Sequence, residues 1–281
     1  MTELMEWIAN GKIQLPDFQR GWVWSDLKIK KLIASITCGY PISAAMFLAY
    51  GGSLKLKYRA FEGVKGIIDK PEQLVLDGQQ RLTSVYQAMF SDAPVKTTTE
   101  NGKEIEVYYY IHIPDTMNGI EREDAIISVP KDRILKKNFN RDIDIDLSTR
   151  DKEFANKMFP VNLLFKISEA LLWQNDYQKY HNYDSGIIVE YTKFAQNVIY
   201  PTSNYALPVI LLDSSTPKEA VCQVFENVNT GGVPLTVFEL VTAIFAMDAP
   251  DNWNLRDDWK ERASRSFYGD ILKESVDSQL F

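Results

Sequence analysis

Cysteine and histidine are scarce: 281 residues carry two of each, Cys38 and Cys222, His112 and His181. Two cysteines so far apart, with no secretory leader, point to a reduced, cytoplasmic setting and no structural disulfide. Neither histidine stands in an HExxH or HNH arrangement, so metalloprotease and histidine-metal nuclease chemistry lack their residues, and both read as packing or surface groups. The pattern GxxxxGK[ST] is missing, which excludes a P-loop nucleotide site. No apolar run approaches membrane-spanning length. Positive charge is in deficit, 31 Lys and Arg against 38 Asp and Glu for a net −7. A protein coated in positive charge for indiscriminate nucleic-acid binding is thereby disfavoured, although a local basic patch is not.

What remains is the composition of an ordinary globular chain, 45% hydrophobic, 12% aromatic and 25% charged. Its length suits one two-lobed unit or two packed domains. Thr2 to Asn10 predicts a short helix stopped by Gly11, and IQLPDFQRGWVWS an extended aromatic connector ending in an N-cap at Ser25. Ile29, Leu32, Ile33 and Ile36 share one helical face, closed by Gly39 and Pro41. AMFLAY, Tyr58 to Glu62, QLVLD and EVYYYIHI are strand candidates. The first lobe, 1–113, is therefore mixed α and β. Residues 114–150 have weak periodicity and alternating charge blocks, and read as an insertion or connector. Residues 151–281 read as a mainly helical lobe broken at YHNYDSG, with one strand at LPVILLD. The fold class expected is α+β.

The most specific text is LVLDGQQRLTS, Leu74 to Ser84. Leu82, Val85, Tyr86 and Met89 follow helical spacing, so Gly78 to Phe90 predicts an amphipathic helix abutting a strand. One reading of DGQQ is a capping box, Asp77 the N-cap and Gln80 reaching back to it. That reading leaves two residues over. Gly78 at a helical position costs about 1 kcal/mol relative to alanine, and Arg81 sets positive charge at the positive end of the helix dipole. An anion at the helix start would use both: glycine lets it approach the backbone amides, and arginine offers a fork of donors to phosphate. Asp77 could then hold a magnesium water or orient an attacking one.

Two further motifs carry alternatives of the same kind. In LPDFQRGWVW, Gln19 and Arg20 precede Trp22 and Trp24, which are either core aromatics beside an ordinary ion-pair arginine or a second phosphate clamp with a ring that stacks on a base. TPKEAVCQVFENVNTGG predicts a helix from Thr216 that ends at Asn229 and Gly231, and NTGG is either a turn between helices or a ligand loop. In the second case Glu226 and Asn229 face a nucleotide or its metal.

Together LPDFQRGWVW, DGQQRLTS and FENVNTGGVPLTVFELVTAIF, in that order across most of the chain, resemble the GmrSD-type N-terminal domain family. The resemblance implies a ParB/sulfiredoxin-like lobe followed by a mainly helical lobe, in proteins of modification-dependent restriction and phage defence. It implies a nucleoside triphosphate and Mg2+ site in which Asp77, Gln79, Gln80 and Arg81 are catalytic. Gln19, Arg20, Gly78, Thr83, Asn229, Gly231 and Gly232 would bind the nucleotide, and Asp77 and Glu226 the metal. DNA, including modified DNA, and a nuclease domain or subunit are the implied partners; this chain, with no nuclease motif, would be a piece of a longer protein or a free-standing regulatory half. Arg81→Ala is expected to lose nucleotide while keeping the fold. The alternatives are a ParB-like nucleotide switch that grips DNA through the lysines after Leu27 and the Arg141 region, with little or no hydrolysis, and a scaffold with a vestigial pocket.

Overall fold

A computed structural model describes residues 1–51, 56–66, 70–138, 141–217, 220, 221, 223 and 224. In chain order the described elements are α1 (Thr2–Ala9), β1 (Ile13–Pro16), α2 (Asp26–Thr37), β2 (Ala45–Ala49), β3 (Tyr58–Arg59), β4 (Gln73–Asp77) and α3 (Gln79–Met89). There follow β5 (Val95–Thr98), β6 (Glu104–His112), β7 (Ile126–Pro130), β8 (Ile134–Lys137), β9 (Asp142–Asp146), α4 (Arg150–Ala155) and β10 (Met158–Pro160). The remainder is α5 (Ile167–Tyr180), α6 (Ser185–Phe194), α7 (Tyr200–Ser203) and β11 (Val209–Leu212). The fold is mixed α+β.

The first sheet has the order β11-β2-β4-β1-β3. Strands β1 and β4 are parallel, β2 runs antiparallel to β4, and β11 lies parallel to β2. The end of the sheet where β1 and β4 finish is therefore the end where β2 and β11 begin. Alternation along the strands sends side chains to both faces. Val75 and Phe47 join the main core with Ile29, Leu32, Ile33 and Ile36 of α2 and Leu82, Val85 and Met89 of α3. Leu74, Leu76 and Leu48 join a smaller cluster with Phe18, Leu56 and Val221.

The second sheet is built on β6. Strands β5 and β10 pair end to end along one of its edges, and β7 along the other. Strand β7 thus lies within the polar stretch 114–150, where Ile126 and Val129 are fully buried. The hairpin β8–β9 follows it in the same stretch. Packed behind are aromatics of α5 and α6: Trp173 stacks on Tyr177 with ring centroids 4.9 Å apart, and Phe159 meets Trp173 edge-on at 5.0 Å. The helix break at YHNYDSG is real. Asn182 and Tyr183 both take left-handed φ, 53° and 56°, and Asp184 then caps α6 by accepting from the Ile187 amide.

Besides the β2–β11 pairing, Tyr205 ties the first and later parts of the chain. Tyr205 donates its hydroxyl to the carbonyl of Tyr40 (2.7 Å) and accepts from the amide of Ile42 (3.2 Å). Its own carbonyl accepts from the Met1 amine at 3.0 Å. Among the described residues no helix is long and apolar enough to cross a membrane.

Candidate functional site

The loops after β1 and β4 leave adjacent parallel strands at the same end of the sheet. They carry QRGW and GQQR, and the structure locks them together. Pro16 ends β1, and the Gln19 side chain takes over its place beside β4: Nε2 donates to the carbonyls of Val75 (2.9 Å) and Leu76 (3.2 Å). Across the loop, Gln79 Nε2 donates to the Arg20 carbonyl at 2.6 Å and Gln80 Nε2 to the Gly21 carbonyl at 3.1 Å. Gln80 Oε1 accepts from the Val23 amide at 2.9 Å, and Trp22 Nε1 donates to Ser84 Oγ at 2.9 Å.

The capping-box reading of DGQQ is corrected. Asp77 is the last residue of β4, and Gly78 is the N-cap of α3, with φ 95° and no capping side-chain bond to the helix amides among the described residues. A left-handed cap strongly favours glycine. Gln80, spent on the facing loop, does not reach back. The Gly78 position is also crowded, since a Cβ there would lie 3.3 Å from Ala45 Cβ. Gly78 is thus required by its own φ and by the start of β2, with α3 beginning one residue beyond it.

Arg81 is committed to protein partners. Nη1 bonds the Ile42 carbonyl, and Nη2 bonds the Ala44 carbonyl (3.0 Å) and Asp77 Oδ2 (3.0 Å). Ser43, between the two clasped carbonyls, is exposed and adopts φ 69°, a conformation unusual for serine. The Pro41–Ala44 segment belongs to the site by position, and sequence reasoning missed it, taking Pro41 only as a helix stop.

Arg20 differs from Arg81. Its carbonyl is bonded twice, by Gln79 and by Arg59, but its guanidinium has no hydrogen bond or ion pair with any described residue. Thr83, one turn into α3, is fully buried, and its hydroxyl has no partner among the described residues. Glu226, Asn229, Gly231 and Gly232 lie outside the described residues. Trp22 and Trp24 are half-buried against the main core and, with Val23 and Lys96, line a cleft of about 640 Å³ beside β5.

Among the described residues, no three Cys, His, Asp or Glu side chains gather as a metal shell. Asp77, with one oxygen on Arg81, could supply one carboxylate to a Mg2+ that takes its remaining ligands from phosphate and water, as that ion commonly does.

Two comparisons bear on identity. An uncharacterised protein of Methanocaldococcus jannaschii is 26% identical over 98% of this chain and 46% of its own length. The chain thus spans less than half of the curated relative it matches. The sequence profile of the GmrSD restriction endonuclease N-terminal domain matches residues 2–246. With its QRGW and GQQR loops joined at one end of the sheet, the chain belongs to the GmrSD restriction endonuclease N-terminal domain family.

Proposed function

We propose that this chain is a nucleoside-triphosphate-binding, Mg2+-dependent hydrolase module of a restriction system, with a ParB/sulfiredoxin-like lobe, regulating DNA cleavage by a nuclease carried elsewhere. The observation that carries the reading is the interlocked pair of loops. Two turns from parallel strands meet at a helix start with a glycine cap, the arginine of one (Arg81) is used to build the site, and the arginine of the other (Arg20) is left without a partner among the described residues. Such a junction suits an anion: the first amides of α3 have no capping side chain among the described residues, and an arginine provides charge-assisted donors. In this reading Arg20 holds the phosphates and Gln79 and Gln80 keep its loop on α3. Asp77 faces the metal or the attacking water, and bound Mg2+ would draw charge from the phosphate oxygens.

Thermal unfolding of the wild type and of Arg20→Ala against ATP, GTP, CTP and UTP, each with Mg2+, tests it. A triphosphate at 100 times its dissociation constant stabilises by about 2.7 kcal/mol. The reading requires a shift for the wild type and a much smaller one for a folded Arg20→Ala chain. Equal shifts for both would remove Arg20 from the site, and no shift for any nucleotide would remove the reading.

A second reading, a nucleotide-switched DNA-binding module, has one observation in its favour: Lys28, Lys30 and Lys31 of α2 form no ion pair with the described residues. DNA binding that weakens steeply with added salt, and hydrolysis at background, would favour it.

A further inference from the structure

Two residues outside every motif hold the QRGW loop from its other side. Arg59, at the end of β3, donates through Nη2 to the carbonyls of Arg20 (3.0 Å) and Gln19 (3.4 Å). Its Nη1 donates to Glu62 Oε1 (2.9 Å) and to the Ala60 carbonyl (3.4 Å). The same Glu62 oxygen accepts from the Trp22 amide at 3.1 Å. One arginine–glutamate pair therefore bonds the backbone of residues 19, 20 and 22.

Two consequences follow from counting donors and acceptors. A carbonyl oxygen has two lone pairs, and at Arg20 both are used, one by Arg59 and one by Gln79. The peptide plane after Arg20 is thereby fixed, and so is the amide of Trp22, while no described residue holds the Arg20 side chain. The turn after Glu62 is itself seated on α3, since Gly63 has φ +94° and a Cβ there would lie 3.1 Å from Gln87 Cγ. The loop is thus gripped on one side by Gln79, Gln80 and Ser84 of α3, and on the other by a pair resting on that same helix. A simple surface ion pair would have no reason to spend its donors on the loop backbone. Arg59 and Glu62 keep only about a quarter and a third of their side-chain surface exposed, 25% and 30%.

We propose that Arg59 and Glu62 are positioning residues, which order the Gln19–Val23 loop in advance so that Arg20 meets the polyphosphate of a bound nucleoside triphosphate. The inference rests on the function proposed above. Ordering a loop before binding removes an entropy cost that the ligand would otherwise meet, so loss of the pair appears as weaker affinity.

The experiment combines a double-mutant cycle with hydrogen exchange on the whole chain. Affinities for ATP, GTP, CTP and UTP with Mg2+ are measured for the wild type, Arg59→Ala, Arg20→Ala and the double variant, after checking that each unfolds cooperatively. Arg59→Ala is expected to weaken binding about tenfold and to add nothing once Arg20 is already alanine. In the free protein the Trp22 and Val23 amides should exchange faster in Arg59→Ala. Glu62→Ala serves as a second variant should Arg59→Ala fold poorly, and Glu62→Gln, which keeps the Oε1 acceptor, should retain most of the affinity. Unchanged affinity in Arg59→Ala, multiplicative losses in the double variant, or unchanged exchange at Trp22 and Val23 each overturn the proposal. A wild type that binds none of the four triphosphates overturns the nucleotide reading and this inference together. A wild type that binds, beside an Arg59→Ala chain that binds equally well, overturns this inference alone.

Discussion

Nη2 of Arg81 lies 3.0 Å from the Asp77 carboxylate and 3.0 Å from the Ala44 carbonyl, so one guanidinium fastens the end of β4 to the approach of β2. Removing it would leave two carbonyls and a carboxylate short of donors in a region only 18% exposed at the arginine. Arg81→Ala is therefore expected to lower stability by about 2–3 kcal/mol, read from urea unfolding. Loss of ligand binding in that variant would not by itself identify a phosphate contact, which is why Arg20→Ala is the sharper probe. Arg20→Ala, which breaks no side-chain bond with a described residue, should stay within about 0.5 kcal/mol of wild type.

Gly78→Ala should be costly although the new group is a single methyl. The left-handed φ of 95° disfavours any Cβ, and the methyl would stand 3.3 Å from Ala45 Cβ and 3.5 Å from Arg81 Nη2. A loss of about 1–2 kcal/mol is expected from the backbone conformation alone, with further loss if β2 must shift. A chemical denaturation midpoint equal to that of the wild type would contradict this account.

Glu153 is a buried carboxylate, 2% exposed at its side chain, held by four donors. Tyr110 Oη (3.0 Å) and Arg133 Nη1 (3.4 Å) reach Oε1, and Arg150 Nη1 (2.9 Å) and Trp173 Nε1 (3.2 Å) reach Oε2. Glu153→Ala strands the buried Tyr110 and Trp173 donors and is expected to cost about 3 kcal/mol. Glu153→Gln keeps one acceptor oxygen but turns an amide donor toward Arg150 and Trp173, so it should fall between alanine and wild type. Burial first, then the Glu153 charge, push the Tyr110 hydroxyl well above its ordinary pKa. It should remain un-ionised in an absorbance titration to pH 11, provided the fold persists.

A pH dependence of opposite character is expected at Asp146. The Lys152 ammonium, together with the Ser148 hydroxyl and amide, holds this carboxyl down from 3.8 to about 2. Because the folded value is depressed, its contribution to stability is full above the unfolded value near 3.8. It is lost as pH falls through about 2. The group is partly exposed to solvent and its partner Lys152 more so, so the effect should be small and salt-sensitive. A carboxyl NMR titration should place its midpoint near 2, rising when Ser148 is changed to alanine.

The legible parts of this fold are those governed by neighbours in sequence. Helical spacing predicts α2 and α3 within a residue or two, Ser25 is the N-cap its sequence implies, and QLVLD is the strand its pattern predicts. Distant pairing defeated the reading elsewhere. Nothing local shows that Arg81 clasps carbonyls 39 and 37 residues before it, or that Gln80 serves a loop 57 residues away. Strand β9, DIDID, alternates cleanly, but its aspartates made it look like a charge block, and Ile145 packs toward Tyr110 and Val129. DGQQR stands out because Gly78 and Arg81 are costly or idle in a plain helix, whereas Gln19 and Arg20 of QRGW stand out only through the family resemblance. Arg59 and Glu62 did not, because an i, i+3 ion pair is commonplace until its loop partners are seen. The FENVNTGG motif, with Glu226, Asn229, Gly231 and Gly232, falls outside the described residues.

The clasp at Tyr205 also sets an order of events during synthesis. Everything that makes the QRGW–GQQR junction lies within the first ninety residues, so the two loops can meet as soon as α3 leaves the ribosome. The hydrogen bonds that Tyr40 and Ile42 make with Tyr205, and the one Met1 makes with its carbonyl, cannot form until more than a hundred further residues have been added. Strand β11, which lies beside β2, is later still. A nascent chain halted before Tyr205 should therefore carry the interlocked loops with the Pro41–Ala44 segment held by Arg81 but not yet by Tyr205, and proteolysis of ribosome-bound chains should cut there more readily than in the finished chain.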